Sequence, residues 1–413
     1  MLKVTVVGAG IVGLAVSYHL LKSGAQVTIV DRDPEGDKAS YGNAGAIAVT
    51  EVMPASVPGT LWRAFGWMLD PLGPLAVRPA HAPKLLPWLL RFAKSGTEAE
   101  VQRISRALAA INSRVYDDLL PLLEDVGYTA HLHRLGALTL YETEQGLQRD
   151  AAEWACKRAN GIVCEEMSGA QAREWEPALG DRVQRAVFTP QWSHVSDPKQ
   201  LVATLRQWLV QQGVVIQTDE VRNVSAAGAS AVALEMASGR RAGADRVVIA
   251  AGAWSGILAQ RLGERALVES ERGYNTTIAQ PGVTVNRELI FAELKFVATP
   301  LSCGLRIGGA AEFGGLEAKP NYKRSRTLAE LARRYLPGLR TEGGTVWAGH
   351  RPTTPDTLPV IGGSTRNANV FYAFGHGHLG LTQASTTGKL IAELLLQGRA
   401  SIDLAPYHIG RFN

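Results

Sequence analysis

The stretch from Met1 to Asp33 constrains this chain more than any other, because it fits a strand, a glycine-rich turn, a helix and a second strand into one unit. Leu2-Lys3-Val4-Thr5-Val6-Val7 leads into Gly8-Ala9-Gly10-Ile11-Val12-Gly13, a helical run follows to Ser23-Gly24, and Gln26-Val27-Thr28-Ile29-Val30-Asp31 completes the unit. Gly8 permits the tight turn, Gly10 lets backbone approach a pyrophosphate, and Gly13 lets helix and strand pack closely. Unpaired N–H groups at the helix N-terminus then face the phosphates. Asp31 lies 18 residues beyond Gly13, at the end of the second strand, where a carboxylate accepts hydrogen bonds from ribose hydroxyls. Arg32 beside it would suit a 2′-phosphate, but Asp31 would repel one. The spacing therefore points to an adenine dinucleotide other than NADP, with Gly8 through Gly13, Asp31 and Arg32 around it. A GxGxxG string alone is weak, since glycines also punctuate turns, but here strand, helix and acid stand in the required order.

At 413 residues the chain exceeds what one hydrophobic core supports, so two interleaved domains are expected. The charge balance of 43 Lys and Arg against 38 Asp and Glu is mild, and no run of like charges suggests a nucleic-acid partner. Cys156, Cys164 and Cys303 form no CxxC and no metal spacing with His, so they read as scattered buried thiols in a reducing compartment, with no metal site. No run of about 18 apolar residues spans a bilayer and no secretory signal opens the sequence, so a cytoplasmic protein is expected.

Ala39-Ser40-Tyr41-Gly42-Asn43-Ala44-Gly45-Ala46-Ile47 follows the first unit. Its small residues let backbone lie flat against a planar ligand, the alternative being a flexible loop. Residues 54–94 hold seven prolines, Trp62, Trp67 and Trp88, and Arg63, Arg78, Lys84, Arg91 and Lys94 against Asp70. That mixture suits the headgroup layer of an anionic membrane, making the segment a candidate for peripheral contact at the inner face. The alternative is a lid whose tryptophans are core. Val101, Ile104, Leu108, Ile111, Val115, Leu119 and Leu122 predict one long amphipathic helix over 98–126, with a bend at Pro121. Gly136 to Tyr141 reads as a strand and Glu144 to Asn160 as a second helix.

Asp197-Pro198 starts a further helix. Val214 to Gln217, Val221 to Val224 and Ala231 to Met236 read as short strands. Arg246 to Trp254 is a buried apolar strand ending at a glycine, and ligands lie beyond such C-terminal strand ends, so Gly252 is a second place where backbone can meet the cofactor. Between about 266 and 345 the alternation of Tyr274 to Ala279 and Leu289 to Ala298 suggests an inserted antiparallel sheet, followed by a helix over 323–336. Gly375-His376-Gly377-His378-Leu379-Gly380-Leu381-Thr382 then opens a last helix, a second glycine turn with free donors and a positive dipole end. Two such turns imply a ligand with two anionic regions. A pyrophosphate and a reduced flavin satisfy them; a nicotinamide ring leaves the second without a purpose.

Taken together, these motifs resemble the D-amino-acid oxidase superfamily of FAD enzymes, most closely the bacterial D-amino-acid dehydrogenases. The resemblance runs from Gly8–Gly13 through Asn43-Ala44-Gly45 and the basic proline-rich segment to Arg351-Pro352-Thr353-Thr354-Pro355-Asp356 and Gly375–Gly380. It implies an α/β fold: a Rossmann-like FAD-binding domain (1–50, 150–260 and 345–413) with an inserted α+β substrate domain of mixed and antiparallel sheet (51–149 and 261–344). It also implies Ser40, Asn43, Ala44 and Gly45 beside the flavin, Val221 beside the adenine, Ala251 and Gly252 at the pyrophosphate, and Gly377, His378, Leu379, Gly380, Leu381 and Thr382 offering N–H groups to the flavin's N1 and C2 carbonyl. Arg351 would grip the substrate carboxylate, unless it serves a structural ion pair.

His378 stands where related sarcosine-type oxidases carry a substrate-binding lysine. Tyr274 would face the flavin, or else only pack; His350 and His376 read as core histidines. Some members of the family this chain resembles attach flavin through a cysteine near the Arg-Pro motif, and since no cysteine follows Cys303 the resemblance implies non-covalent FAD. The activity implied is oxidation of a D-amino acid, or of a cyclic imino acid such as D-proline or D-hydroxyproline, with electrons passed to a quinone or carrier protein. The alternatives are an O2-using oxidase of glycine, sarcosine or an L-amino acid, a non-catalytic flavoprotein subunit of an electron-transfer complex, and a nicotinamide enzyme.

Overall fold

The computed structural model describes residues 1–60, 66, 73–227 and 231–413. Trp62, Arg63, Trp67, Asp70 and Pro71 of the proline-rich segment lie outside the described residues.

Six strands form the sheet that the first unit begins. Their order is Val215–Thr218, Gln26–Asp31, Lys3–Val7, Arg246–Ile249, Val370–Phe374 and Val360–Gly363, parallel except for the last pair. Val4, Val6, Ile29, Val247, Val248 and Ile249 are all buried, as expected where both faces of a parallel sheet are covered. The C-terminal ends of the three central strands bring Gly8, Asp31 and Ala250–Gly252 to one edge.

Helix Ile11–Lys22 leaves the first glycine turn and helix Gly380–Gln397 leaves the second. They pack so closely that a Cβ added at Gly388 would stand 2.5 Å from the Ala15 carbonyl oxygen. His19 Nε2 and Ser385 Oγ lie 3.0 Å apart across the same contact. The far-apart glycine turns therefore open onto one cleft.

A nine-stranded sheet stands over that cleft, in the order Thr345–Thr353, Glu269–Ile278, Gly304–Phe313, Phe296–Leu301, Glu288–Phe291, Ala137–Tyr141, Arg185–Thr189 and Glu165–Ser168, with Leu75–Val77 beside Gly304–Phe313. It is mixed: most pairs are antiparallel, but Glu288–Phe291 runs parallel to Ala137–Tyr141. Its own core holds Leu138, Tyr274, Phe291, Phe296, Ile307 and Tyr335. The fold is a Rossmann-like domain carrying an inserted mixed-sheet domain.

Several expectations are corrected. Strands Glu165–Ser168, Arg185–Thr189 and Thr345–Thr353 fall in segments expected in the cofactor unit, yet they pair into the nine-stranded sheet. The expected long helix is two, Glu98–Asn112 and Val115–Asp125, parted at Ser113 and Arg114, with Pro121 inside the second. Both halves bury their stripes in the same core, so the periodicity runs through the break. Glu144 to Asn160 likewise divides at Asp150, and the last-but-one helix stops at Ala332. Leu289 to Ala298 is a hairpin rather than a strand, turned at Lys295 with φ +54°. The cysteines are not all buried: Cys303 is exposed and the other two are half-buried. Among the described residues no helix is long and apolar enough to cross a membrane, and no three His, Cys, Asp or Glu cluster as metal ligands.

Candidate active site

A cavity of about 2280 Å³ runs from the first glycine turn to the underside of the nine-stranded sheet. That exceeds the roughly 300–1,000 Å³ of a drug-sized pocket and suits a dinucleotide plus a small substrate. At the first turn Gly8 has φ +116°, and a Cβ there would stand 2.4 Å from the Ala250 carbonyl oxygen. Gly10 is open, with only Ser40 Oγ at 3.4 Å from an added Cβ. Ser40 Oγ accepts from Ile11 N at 3.0 Å, capping from a distant loop a helix whose own Gly10 has no side chain to cap it. Asp31 holds the turn as well as lining the cavity: Oδ2 accepts from Ala9 N at 2.6 Å, and Oδ1 accepts from Lys38 Nζ at 3.0 Å. Asp33 N also donates to Oδ1, at 2.9 Å, which leaves about one of a carboxylate's roughly four lone-pair sites for a ribose hydroxyl. Arg32 lies 4.0 Å over the Trp254 ring, and both face the cavity with Val221, Ala251 and Gly252. The glycine cradle, the open helix end and the acid thus fit the group that the sequence implies.

The 39–47 loop is pinned. Asn43 Oδ1 accepts from Gly45 N at 2.6 Å, Arg306 Nη1 donates to the Asn43 carbonyl at 2.6 Å, and Asn275 Nδ2 donates to the Gly42 carbonyl at 2.6 Å. Arg306 is 9% exposed, and burial pulls its guanidinium pKa down; Asn275 Oδ1 is buried without a hydrogen-bond partner and its residue lines the cavity. The Trp347 ring occupies the space that a Cβ on Gly42 would need. These three residues of the upper sheet fix the loop's position, and sequence reasoning missed them.

Under the upper sheet, Arg351 and Glu271 sit opposite each other in register on neighbouring strands. Arg351 Nη1 donates to Glu271 Oε1 at 2.8 Å and to the Ala310 carbonyl at 3.3 Å. Ala310 has φ +52° and is the extra residue where Gly304–Phe313 slips register against Glu269–Ile278. Such a bulge re-aims backbone groups, here a carbonyl onto the arginine. Thr353 Oγ1 donates to Glu271 Oε2 at 3.1 Å, and buried Trp88 donates its indole N–H to the Thr353 carbonyl at 3.1 Å. Trp88 is therefore part of the wall, which favours the lid reading for the helix Ala82–Ser95 that carries it.

Gly377, His378, Gly380 and Leu381 of the second turn face the same cavity. His378 is exposed to it; burial within the protein lowers its pKa, with Glu51 and Glu271 pulling the other way. His376 is buried against Thr387 Oγ1 at 2.9 Å and is pulled down to about 3 by burial. His350 meets Ser270 Oγ at 2.6 Å. Farther along, Lys157 bridges Glu51 and Glu153 at 2.9 and 3.0 Å. Burial pushes Glu51 up, but Lys157 outweighs it and holds the carboxyl below its usual range. Glu288, 2% exposed and bonded by the Trp192 indole at 3.2 Å, is pushed up to about 8 by burial.

Not every expected residue reaches the cavity. Ala9, Gly13, Gly45, Leu379 and Thr382 do not line it. Ala9 N is taken by Asp31, Gly13 packs under the Gly8 carbonyl, Gly45 N is held by Asn43, Leu379 is core, and Thr382 Oγ1 accepts from Ala48 N at 2.9 Å. Tyr274 edges the cavity, but its hydroxyl is consumed elsewhere, donating to Glu312 Oε2 at 3.1 Å and accepting from Asn321 N at 3.0 Å.

A dinucleotide cleft roofed by a mixed sheet is the architecture of a nucleotide-dependent oxidoreductase. The profile of the DAO family, described as FAD dependent oxidoreductase, matches residues 3–394. The chain belongs to that family, and FAD is its cofactor. It is similar to a D-amino-acid oxidase of Bradyrhizobium diazoefficiens, 33% identical over 99% of this chain and 98% of the relative. A D-amino acid dehydrogenase of Sinorhizobium medicae is 31% identical over the full length of both. Among solved structures, glycine oxidase from Geobacillus kaustophilus shares the fold, with a TM-score of 0.75 and 24% identity over 99% of each chain.

Proposed function

We propose that this protein oxidises the α-carbon–nitrogen bond of a D-amino acid, or of a cyclic imino acid such as D-proline or D-hydroxyproline, giving the imino acid that hydrolyses to a 2-oxo acid. The observation that carries the reading is Arg351: a guanidinium lining the same cavity as the second glycine turn, with Nε and Nη2 bonded to no described residue. A guanidinium fork takes a carboxylate at two points, which fits an amino-acid substrate better than an alcohol or amine without one.

Bound FAD supplies the hydride acceptor for the α-hydrogen. The chain's own residues position and shield. Gly8, Gly10 and the first turn of Ile11–Lys22 hold the pyrophosphate, Asp31 the ribose, and Val221 and the Arg32–Trp254 stack the adenosine end. Ser40, Asn43 and Ala44 border the ring system. Gly377, His378, Gly380 and Leu381 direct N–H groups and a helix dipole at the edge where negative charge develops. His378, whose burial disfavours the imidazolium, adds a polar group there. Trp88 and the Ala82–Ser95 helix exclude water from Arg351.

A second reading concerns only the electron acceptor. Two relatives of similar identity carry the names oxidase and dehydrogenase, which favours O2 and a quinone or carrier protein about equally. One experiment tests both points: anaerobic mixing of the purified flavoprotein with both enantiomers of a panel of amino and imino acids, followed by admission of air. Bleaching by D-enantiomers supports the reading, and the rate of recolouring in air separates oxidase from dehydrogenase. A flavin that no amino or imino acid bleaches would overturn it.

A further inference from the structure

Arg351 presents a difficulty for the function proposed above, because a carboxylate already occupies part of its fork. Glu271 Oε1 accepts from Nη1 at 2.8 Å, and the two side chains, 20% and 29% exposed, open into the same cavity. Were Glu271 only a counter-ion, a substrate carboxylate arriving at the other edge of the guanidinium would meet a second negative charge alongside it. That repulsion is large in a site screened from water. The arrangement becomes favourable if the arriving molecule brings its own cation at the right separation.

An α-amino acid does so, since its nitrogen is one carbon from its carboxylate. We propose that Glu271 is the anchor for the substrate's amino nitrogen, so that Arg351 and Glu271 together form one two-point receptor for the zwitterion. The inference rests on the amino-acid reading of the site.

Three further observations support a purpose-built receptor rather than an incidental ion pair. Glu271 Oε2 is held by Thr353 Oγ1 at 3.1 Å, so the carboxylate is oriented as well as paired. The bulged Ala310, at φ +52°, spends an unfavourable backbone conformation to place its carbonyl on Arg351 Nη1. That carbonyl and Glu271 both use Nη1, which leaves Nε and Nη2 for the incoming carboxylate. The receptor also has a selectivity built into it. A ligand with the carboxylate but no nitrogen would meet Glu271 unpaired, so carboxylates lacking the amino group should bind poorly.

The test compares the flavin-loaded wild type with Glu271→Gln, which keeps an oxygen for Arg351 and removes the charge. Calorimetric titration, run anaerobically on enzyme whose flavin has been reduced beforehand so that no ligand is oxidised, uses an amino acid that bleaches the oxidised flavin and the same skeleton without nitrogen: D-alanine with propanoate, or D-proline with cyclopentanecarboxylate. The variant should bind the amino acid about 10- to 100-fold more weakly, the range of one charge-assisted hydrogen bond. It should bind the nitrogen-free acid as tightly as the wild type or more tightly. Equal weakening of both ligands would mean that Glu271 only holds Arg351, and no change in either would mean that it faces neither; both results overturn the proposal while leaving the amino-acid reading intact. Failure of the wild type itself to bind any amino acid would overturn both. Thr353→Val, which releases Glu271 without removing it, should shift the two ligands in the same opposed directions by a smaller factor, and it serves if Glu271→Gln does not fold.

Discussion

Gly273→Ala separates the proposed work of Arg351 from the stability of the fold. Gly273 lies in the interior of strand Glu269–Ile278, with its φ outside the left-handed region, so alanine can adopt its backbone. A Cβ there would stand 2.5 Å from Arg351 Cζ and Nη2, against the 3.4 Å at which ordinary contact begins, so the guanidinium must move by about 0.9 Å. The obstructing atoms are the far end of a flexible side chain, and the strand itself has no reason to shift. Replacing glycine in a strand otherwise gains about 0.5–1 kcal/mol. A displacement of that size would take an Nη2 or Nε donor from the usual ~2.8 Å of a guanidinium–carboxylate bond to about 3.7 Å from the substrate carboxylate, beyond hydrogen-bond reach. One charge-assisted bond is worth about 1.5–3 kcal/mol, or roughly 10- to 150-fold in affinity. The variant should therefore retain its FAD and melt no lower than the wild type, while kcat/KM falls about 100-fold. Anaerobic flavin reduction at rising substrate concentration measures the effect, with the visible flavin absorption reporting cofactor content. Wild-type kinetics in a folded, yellow Gly273→Ala protein would show that the position of Arg351 does not matter to substrate.

Three other outcomes are expected. Gly13→Ala would put a Cβ 2.0 Å from the Gly8 carbonyl oxygen, a backbone atom that cannot give way, so it should cost at least about 1–3 kcal/mol and strip FAD, read by melting and by the flavin released on gel filtration. Glu288→Gln should stabilise the protein in a pH-dependent manner. With the folded carboxyl raised to about 8 from an ordinary 4.5, both states are protonated below pH 4.5; between 4.5 and 8 only the unfolded chain releases its proton, so Glu288 costs stability that grows as pH rises, up to about 3 kcal/mol at pH 7. The melting gain of the variant should be large at pH 8 and vanish towards pH 4.5, and a pH-independent difference would refute the assignment. The wall role of Trp88 makes helix Ala82–Ser95 a lid, so the protein should not sediment with anionic vesicles at low salt, although Leu86 and Leu90, 54% and 65% exposed, stand beside exposed Lys84 and Lys94; salt-sensitive binding that Leu86→Gln with Leu90→Gln abolishes would restore the membrane reading.

What could be read from the sequence was what lies close together in it. The first glycine turn, its helix and Asp31 fall within 31 residues, and their local chemistry leaves few alternatives. Residues whose task is defined by a distant partner left no such trace. Asn275 and Arg306 hold the 39–47 loop from positions 233 and 263 residues away, and neither sits in a recognisable string. Glu271 looks like any strand glutamate until the register sets it opposite Arg351. Tyr274 shows the converse failure, since its place on the inserted strand suggested a ligand, but only the fold reveals that Glu312 and Asn321 have already satisfied its hydroxyl. The breaks at Ser113 and Asp150 escaped because periodicity reports the buried face rather than the continuity of the backbone, and a two-residue turn can preserve the face while ending the helix. Convergence of the two glycine turns lies between these cases. Gly388 sits mid-helix, where glycine costs about 1 kcal/mol against alanine, and that penalty is offset only because another backbone, at Ala15, comes too near for a side chain. A glycine in the middle of the last helix thus carries, in the sequence, the sign that this helix must lie against another, and the partner it meets is the one that begins at the first turn.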